Sequence, residues 1–392
     1  MHLKRRRTFS IIGLLLVLAF LFWEVRQLYP QLVSEHIGRD FLAYWTAGRL
    51  LLTGSNPYSP QQLFVLQRSV GWTEEIPLML YNPPWTLSYI LPFSLQDYVI
   101  SKLLWLFSSL ALVFLCADCA WRFYEGPRSK RPWAFILSFA FAPTLFMINM
   151  GQIVSLTLLG VMGFLYFEKH QRRWLAGSTI ALIGIKPLLF YLFWIALLLW
   201  ALDRRNWSVI LGGIVSGIGA LIIPLIYDPS VINNYLYTMT HQPPHIYWAS
   251  PTIGAYLRLV FGTRNYWLQF VPSVSGVLWF LFYWQKHKKN WVWGKQMPLL
   301  LLVSLITTSY GWSADYAILL PVIIQAAIWV FISRKHQIKI LSSLFFILFN
   351  GLVMILHFMR LDDLWSFWMV PVLFLFYLTL RRKIHREHLD VH

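Results

Sequence analysis

Long apolar stretches separated by short polar segments occupy most of the 392-residue chain. The first runs from Ser10 to about Trp23 after a basic N-terminus. No A-x-A-like cleavage site follows it, so we expect a retained signal anchor. Several later stretches are shorter than the ~20 residues that a perpendicular span needs. The later stretches, short and long together, lie at about 99–121, 133–148, 152–167, 174–187, 188–202, 208–227, 267–284, 296–310, 317–332, 340–358 and 366–380.

With the first stretch, this pattern predicts an all-α polytopic membrane protein, a single integral membrane domain over 1–392 with about twelve transmembrane helices. Composition agrees, because 58% of residues are hydrophobic and only 12% are charged, against about 25% charged in average soluble proteins. The net charge of +17 does not indicate nucleic-acid binding, which needs a basic face on a soluble module. Cys116 and Cys119 share one apolar stretch at helical spacing and are expected to pack.

The basic residues predict the orientation of these spans. If the N-terminus is cytoplasmic, alternate loops hold 24 of the 33 Lys and Arg residues, as the positive-inside rule requires. Both termini of this multi-pass cell-membrane protein are then cytoplasmic. The scheme keeps its parity only if the stretch 84–96 does not cross the membrane, and its prolines favour a half-membrane or interfacial helix. Whether it crosses stays open at this point.

Two outer segments, 27–98 and 227–266, are too long to be simple connectors. The first contains an amphipathic stretch from Phe41 to Leu52, which predicts a helix lying along the membrane surface. Two motifs, around Tyr58 and Asn82, combine proline with turn-forming residues. They are either loop punctuation or a scaffold that returns the long loop over the amphipathic helix.

Several polar residues of the outer segments are candidates for chemistry. Asp40 begins the amphipathic helix. Its negative charge either only stabilises the helix through the macrodipole, by roughly 0.3–1 kcal/mol, or the carboxylate acts as a general base toward an acceptor hydroxyl. Lys186 lies near the outer end of a span, where it either snorkels to the interface or binds an anion such as phosphate. Arg258 is a second candidate for phosphate. Gln152 either caps backbone groups or faces a cavity.

Other outer residues give less definite patterns. Asp315, at a helix junction, is either a cap or a second site carboxylate. Two prolines between His241 and His245 exclude the helix that would align them on a metal, so no cofactor is predicted, and metal dependence stays open. A solvated turn explains Asp362 and Asp363.

Short motifs follow one another in a definite order along these outer segments: Asp40-Phe41 with Tyr44 and Ala47-Gly48, Leu51-Leu52-x-Gly54-x-x-Pro57-Tyr58, Tyr81-x-Pro83-Pro84, Gly151-Gln152, Lys186-Pro187, Arg258, and Gly311-Trp312-Ser313 before Leu319-Leu320-Pro321. Over about residues 38–325 this order resembles glycosyltransferase family 87, polytopic enzymes of the GT-C fold. The resemblance implies a GT-C-like helical bundle. Many relatives have a histidine near the position of Asp315, where this chain departs from the pattern.

The resemblance also implies a reaction. A hexose, typically mannose, would move from a polyprenyl-phosphate-linked donor to a hydroxyl of a lipid or glycan, with inversion, on the non-cytoplasmic face. Asp40 would be the general base. We expect substrate contacts from seven further residues: Tyr44, Tyr58, Asn82, Gln152, Lys186, Arg258 and Asp315.

Two other functions fit the same residues. A transporter or flippase for a polyprenyl-linked lipid would also need cations among apolar spans, although transporters commonly show internal repeats, and none is evident in this sequence. An inactive relative could instead act as a partner in a cell-surface polysaccharide complex. Transfer of sugar by the purified protein would separate the enzyme from both alternatives.

Overall fold

The computed structural model describes residues 37–241 and 250–389. Within these ranges the protein is helical and contains no strand. The predicted signal anchor from Ser10 to Trp23 and the histidine His245 lie outside them. The α-helices are α1 Arg39–Leu52, α2 Pro60–Ser69, α3 Leu87–Ile90, α4 Tyr98–Phe123, α5 Pro132–Ala140, α6 Ala142–Met150, α7 Val154–Lys169, α8 Arg173–Ser178, α9 Ile180–Ile183, α10 Tyr191–Arg204, α11 Trp207–Tyr227, α12 Val231–His241, α13 Ile253–Phe261, α14 Val271–His287, α15 Trp293–Thr307, α16 Leu320–Ile332, α17 His336–Phe358 and α18 Met369–Leu389.

Short 3-10 helices join several of these elements. They are Pro84–Thr86, Leu91–Ser94, Arg128–Lys130, Pro187–Phe190, Tyr266–Phe270, Lys288–Asn290, Ser313–Leu319 and Asp363–Ser366. Several of them extend an α-helix into a longer continuous helix, as in Pro187–Arg204, Ser313–Ile332 and Asp363–Glu387.

Six helices of the described ranges are long and apolar enough to cross a membrane: Tyr98–Phe123, Pro187–Arg204, Trp207–Tyr227, Ser313–Ile332, His336–Phe358 and Asp363–Glu387. A seventh crossing results if α5 and α6, which meet at a 60° bend, form one broken span. The predicted class of polytopic helical membrane protein is therefore confirmed.

The predicted number of about twelve spans is not confirmed. Several of the apolar stretches form helices that are shorter than the hydrocarbon core. Helix α7 has 16 residues, about 24 Å at 1.5 Å per residue, against roughly 30 Å of hydrocarbon. The stretch 174–187 divides into α8 with six residues and α9 with four.

The stretch 84–96 forms three short helices in succession, from Pro84 to Ser94. Prolines stand at the first turn of the first and third helices, where the missing amide hydrogen costs nothing and the fixed φ favours a new helical start. Eleven residues of this kind cannot cross ~30 Å of hydrocarbon. The stretch packs instead against α1, α4 and α11.

Helix α1 differs from its prediction as a surface helix. Nine of its 14 residues are buried by the rest of the protein. Phe41 stacks on Trp105 of α4 with ring centroids 5.1 Å apart, and the indole of Trp45 donates to the carbonyl of Gln96. The apolar face that we expected on the membrane surface therefore packs against protein, because the amphipathic pattern records only that one face avoids water.

Two glycines bring α1 against the connection between α6 and α7. Gly38 and Gly151 both have left-handed backbones, with φ of 73° and 69°. The amide of Gly38 donates to the carbonyl of Asn149 at 2.6 Å. A Cβ on Gly151 would lie 2.9 Å from the Cα of Gly38, so only glycine permits this approach. The contact places Gln152 beside the first turn of α1.

We expect Gly151→Ala to destabilise the protein. The left-handed backbone alone costs an alanine about 1–2 kcal/mol, and the clash with Gly38 adds to this. Gly219→Ala is the matched control, because nothing lies within 4 Å of a Cβ at that exposed position of α11. The unfolding midpoint in detergent micelles should fall for the first variant and stay level or rise for the second. Equal midpoints would contradict the close approach.

Candidate active site

Four polar side chains from four separate segments meet at one end of the helices. Asp40 lies in the first turn of α1, and Gln152 follows Gly151 before α7. Lys186 immediately precedes the helix Pro187–Phe190. Asp315 lies in the helix Ser313–Leu319. We call these four residues the polar network.

The polar network is continuous through direct hydrogen bonds. The side-chain amide of Gln152 donates to Oδ2 of Asp40. The Oε1 atom of Gln152 accepts from Nζ of Lys186 at 2.9 Å and from the hydroxyl of Tyr44 at 3.2 Å. Nζ of Lys186 also lies 2.5 Å from Oδ1 of Asp315. The chain of hydrogen bonds therefore runs from Asp40 through Gln152 and Lys186 to Asp315.

Burial separates the roles of the two carboxylates. Asp315 is fully buried and Lys186 is only 9% exposed, so their charges form an internal ion pair. The other carboxylate oxygen of Asp315 accepts the backbone amide of Trp312 at 2.9 Å. Asp315 is thus a cap that also pairs with Lys186, and the ammonium of Lys186 points into the protein instead of snorkelling outward.

Asp40 is partly exposed, in contrast to Asp315. Burial of its carboxyl group raises its pKa above the ordinary value, while the charge of Lys186 and the hydrogen bond from Gln152 partly offset that rise. In the described ranges its Oδ2 atom accepts from Gln152 and no hydrogen bond reaches Oδ1. Within the described part of the chain, Oδ1 of Asp40 is therefore left without a hydrogen bond and is open to a proton.

Two predicted contact residues hold the chain segment that carries Lys186. The hydroxyl of Tyr58 donates to the carbonyl of Asn82 at 3.0 Å, and the side-chain amide of Asn82 donates to the carbonyl of Ile185 at 3.1 Å. The indole of Trp85 donates to the carbonyl of Gly184 at 3.1 Å. Both motifs thus return the long loop onto the residues before Lys186, as a scaffold.

Arg258 does not join the polar network. Its guanidinium donates to Oε1 of Gln269 at 3.0 Å and twice to the carbonyl of Thr263, and it lies over the ring of Tyr266. Among the described residues it has no acidic partner. Gln269 also donates to the carbonyl of Ser309. Arg258 is therefore connected to the segment before Asp315 through one glutamine.

Two residues near the polar network were not predicted as site residues. Tyr310 accepts the indole N–H of Trp312 on its hydroxyl at 2.8 Å. Asp363 accepts the backbone amide of Ser313 at 2.9 Å, so the solvated-turn explanation of this residue is wrong. For Tyr310 the sequence did contain a signal, because Tyr310 and Trp312 are two aromatic residues with polar groups shortly before Asp315. Aromatic residues in outer segments also suit a membrane-interface belt, however.

Metal ligands are not grouped in the described ranges, where no set of three or more His, Cys, Asp or Glu residues is arranged to hold an ion. His241 stacks on the ring of Tyr237 in α12.

Apolar spans around an internal network of carboxylates, an amide and an ammonium define an integral membrane protein with a buried polar site. The sequence profile of glycosyltransferase family 87 matches residues 80–357, more than half of the chain. The chain therefore belongs to glycosyltransferase family 87 and is a membrane glycosyltransferase. No curated protein and no solved structure matches it. Three members of the polar network lie in the matched region, and Asp40 lies before it.

The buried ion pair makes a prediction about stability. Asp315→Asn keeps an acceptor for the amide of Trp312 but leaves the ammonium of Lys186 without its nearest counter-charge. Removing one partner of a buried pair costs roughly 3–5 kcal/mol. The double variant Lys186→Met with Asp315→Asn removes both charges and should recover much of that loss. Unfolding midpoints in detergent measure both effects. A double variant no more stable than Asp315→Asn would contradict the pairing.

Proposed function

We propose that the protein transfers a hexose, mannose by family likeness, from a polyprenyl-phosphate donor to a hydroxyl of a lipid or glycan. The transfer inverts the anomeric carbon, takes place on the non-cytoplasmic face and uses Asp40 as general base. The observation that carries this proposal is the arrangement of Asp40, whose Oδ2 atom is fixed by Gln152 while Oδ1 has no hydrogen bond from the described residues.

A base must be unprotonated, oriented and within reach of the acceptor hydroxyl. Gln152 supplies the orientation, and Asp315 pairs with Lys186 so that the lysine does not form a direct salt bridge with Asp40. The raised pKa of Asp40 makes it a stronger base than an ordinary carboxylate, since catalytic efficiency rises as the pKa approaches the working pH.

The proposed step is a single displacement. The acceptor oxygen attacks C1 of the sugar while its proton moves to Oδ1 of Asp40. The bond between C1 and the phosphate oxygen breaks, and its electron pair stays on the departing polyprenyl phosphate. One displacement at C1 inverts its configuration, so no covalent sugar-enzyme intermediate is needed.

The departing phosphate needs cationic contacts, because charge builds on it as the bond breaks. Lys186 has three N–H groups, of which two are used within the polar network. Arg258 has no acidic partner among the described residues, and a guanidinium grips phosphate through paired hydrogen bonds. We therefore assign the phosphate to Arg258 together with the remaining N–H of Lys186.

The direction of the helices supports a site on the non-cytoplasmic face. Helix α7 begins two residues after Gln152 and ends at Lys169. The helix that begins after Lys186 ends at Arg204. The polar network thus lies at the end of these helices opposite their basic segments, which favour the cytoplasm. A lipid-linked donor also suits a site among spans with many exposed apolar side chains.

Asp40→Asn should fold normally and lose nearly all transfer, because the amide cannot take up the acceptor proton. Loss of a general base typically costs about 10²–10⁴-fold in rate. Asp97→Asn makes the same chemical change at an exposed carboxylate just before α4 and should keep full activity. The measurement is sugar transfer from polyprenyl-phosphate-mannose by purified protein in detergent. Wild-type rates in Asp40→Asn would exclude Asp40 as the base.

The raised pKa of Asp40 predicts the acid side of the pH profile. The base acts only when ionised, so the rate should fall as the pH drops through a pKa above the ordinary ~3.9. Gln152→Leu removes a hydrogen bond that lowers this pKa, so the acid limb should move to higher pH. Gln61→Leu, at an exposed position of α2, should leave it unchanged. Profiles of kcat/KM measure the shift. An acid limb that stays in place in Gln152→Leu would contradict this account.

A further inference from the structure

Tyr310 lies in the connection between α15 and the helix Ser313–Leu319, next to the polar network. The hydroxyl of Thr308 lies 3.1 Å from the carbonyl oxygen of Leu188 and 2.9 Å from that of Tyr310. This contact attaches the connection to the chain two residues beyond Lys186. Tyr310 is therefore held between the two segments that supply the buried ion pair.

The hydroxyl of Tyr310 has a defined orientation. It accepts the indole N–H of Trp312 at 2.8 Å, and the two rings meet edge to face with centroids 6.2 Å apart. The described residues offer no acceptor within hydrogen-bond distance of the hydroxyl's own proton. The indole thus fixes the oxygen of the hydroxyl while the O–H proton stays available to a ligand that supplies an acceptor.

The surroundings limit what that ligand group is. Burial and the neighbouring charges of Asp315 and Asp40 raise the pKa of Tyr310, so the phenol stays protonated and keeps its O–H to donate. The same two carboxylates disfavour a second anion beside this hydroxyl. A neutral alcohol satisfies both requirements, because its oxygen accepts from the phenol while its own proton goes to a carboxylate or to water.

We propose that Tyr310 donates a hydrogen bond to a hydroxyl oxygen of the transferred sugar and is a specificity-determining residue of the donor site. This proposal rests on the proposed function, since it assumes that the sugar lies beside Asp40. The residue is partly exposed, as a residue that contacts substrate must be. Trp312 acts as a positioning residue for the hydroxyl through its indole N–H.

The test combines a substitution with donors that each lack one sugar hydroxyl. Tyr310→Phe keeps the ring and removes only the hydroxyl, and Tyr237→Phe makes the same change at an exposed tyrosine of α12 as the control. Each protein is assayed with polyprenyl-phosphate-mannose and with its 2-, 3-, 4- and 6-deoxy analogues. The readouts are kcat, KM and the unfolding midpoint in detergent.

We expect Tyr310→Phe to lose about 10-fold or more in kcat/KM with the complete donor, at an unchanged unfolding midpoint. One deoxy analogue should lose a similar factor with the wild-type protein and no further factor with Tyr310→Phe, since both changes remove the same hydrogen bond. The other analogues should lose equal factors with both proteins. Tyr237→Phe should behave as the wild type.

Full activity of Tyr310→Phe, or losses that multiply for every analogue, would overturn the proposal while the proposed function stands. If Tyr310→Phe does not fold, Trp312→Phe takes its place in the same comparison, because it removes the N–H that orients the hydroxyl. A wild-type protein that transfers no sugar from polyprenyl-phosphate-mannose would overturn the proposed function and this assignment together.

Discussion

A buried ammonium must have acceptors on every side that water does not reach, and this requirement at Lys186 organises the site. Asp315 supplies the opposite charge and Gln152 supplies a neutral acceptor. These partners lie 129 and 34 residues away along the chain, so satisfying one lysine ties three parts of the bundle together. The scaffold of Tyr58, Asn82 and Trp85 then holds the backbone that precedes the lysine.

The same requirement gives the two carboxylates, Asp315 and Asp40, different environments. Asp315 is fully buried and is occupied by Lys186 and by the amide of Trp312. Among the described residues, the carboxylate of Asp40 accepts a side-chain hydrogen bond from the neutral amide of Gln152 alone, and it stays partly exposed. Two groups of the same kind thus have different environments, a recurring way to separate structural from acid-base roles. The carboxylate of the proposed base is available because Lys186 pairs with the other carboxylate.

The sequence identifies most residues of the site but not their contacts. Asp40, Gln152, Lys186 and Asp315 stand out because ionisable and amide groups are scarce in an apolar chain. Their meeting depends on two glycines whose left-handed backbones allow a close approach, and no periodic pattern reveals such a contact. Tyr310 was not predicted as a site residue because an aromatic residue near a helix end equally suits the membrane interface.

The prediction of the fold from the sequence is limited in the same way. Hydropathy locates the apolar stretches, and six of them correspond to helices long enough to span. It does not reveal where prolines and glycines divide a stretch, as in 84–96 and 174–187. Amphipathicity likewise predicts that α1 hides one face, without distinguishing lipid from protein as the partner. Tertiary packing decides both questions, and it depends on residues far apart in the chain.

The most direct test of the proposed chemistry is a structure of the Asp40→Asn variant with a bound polyprenyl-phosphate-mannose, determined by electron cryo-microscopy in a lipid nanodisc. The account predicts sugar density beside residue 40, with room for an acceptor oxygen about 3 Å from both C1 and the side chain, and the phosphate against both Lys186 and Arg258. A donor bound at the opposite, basic ends of the helices would contradict the base, the phosphate contacts and the orientation together.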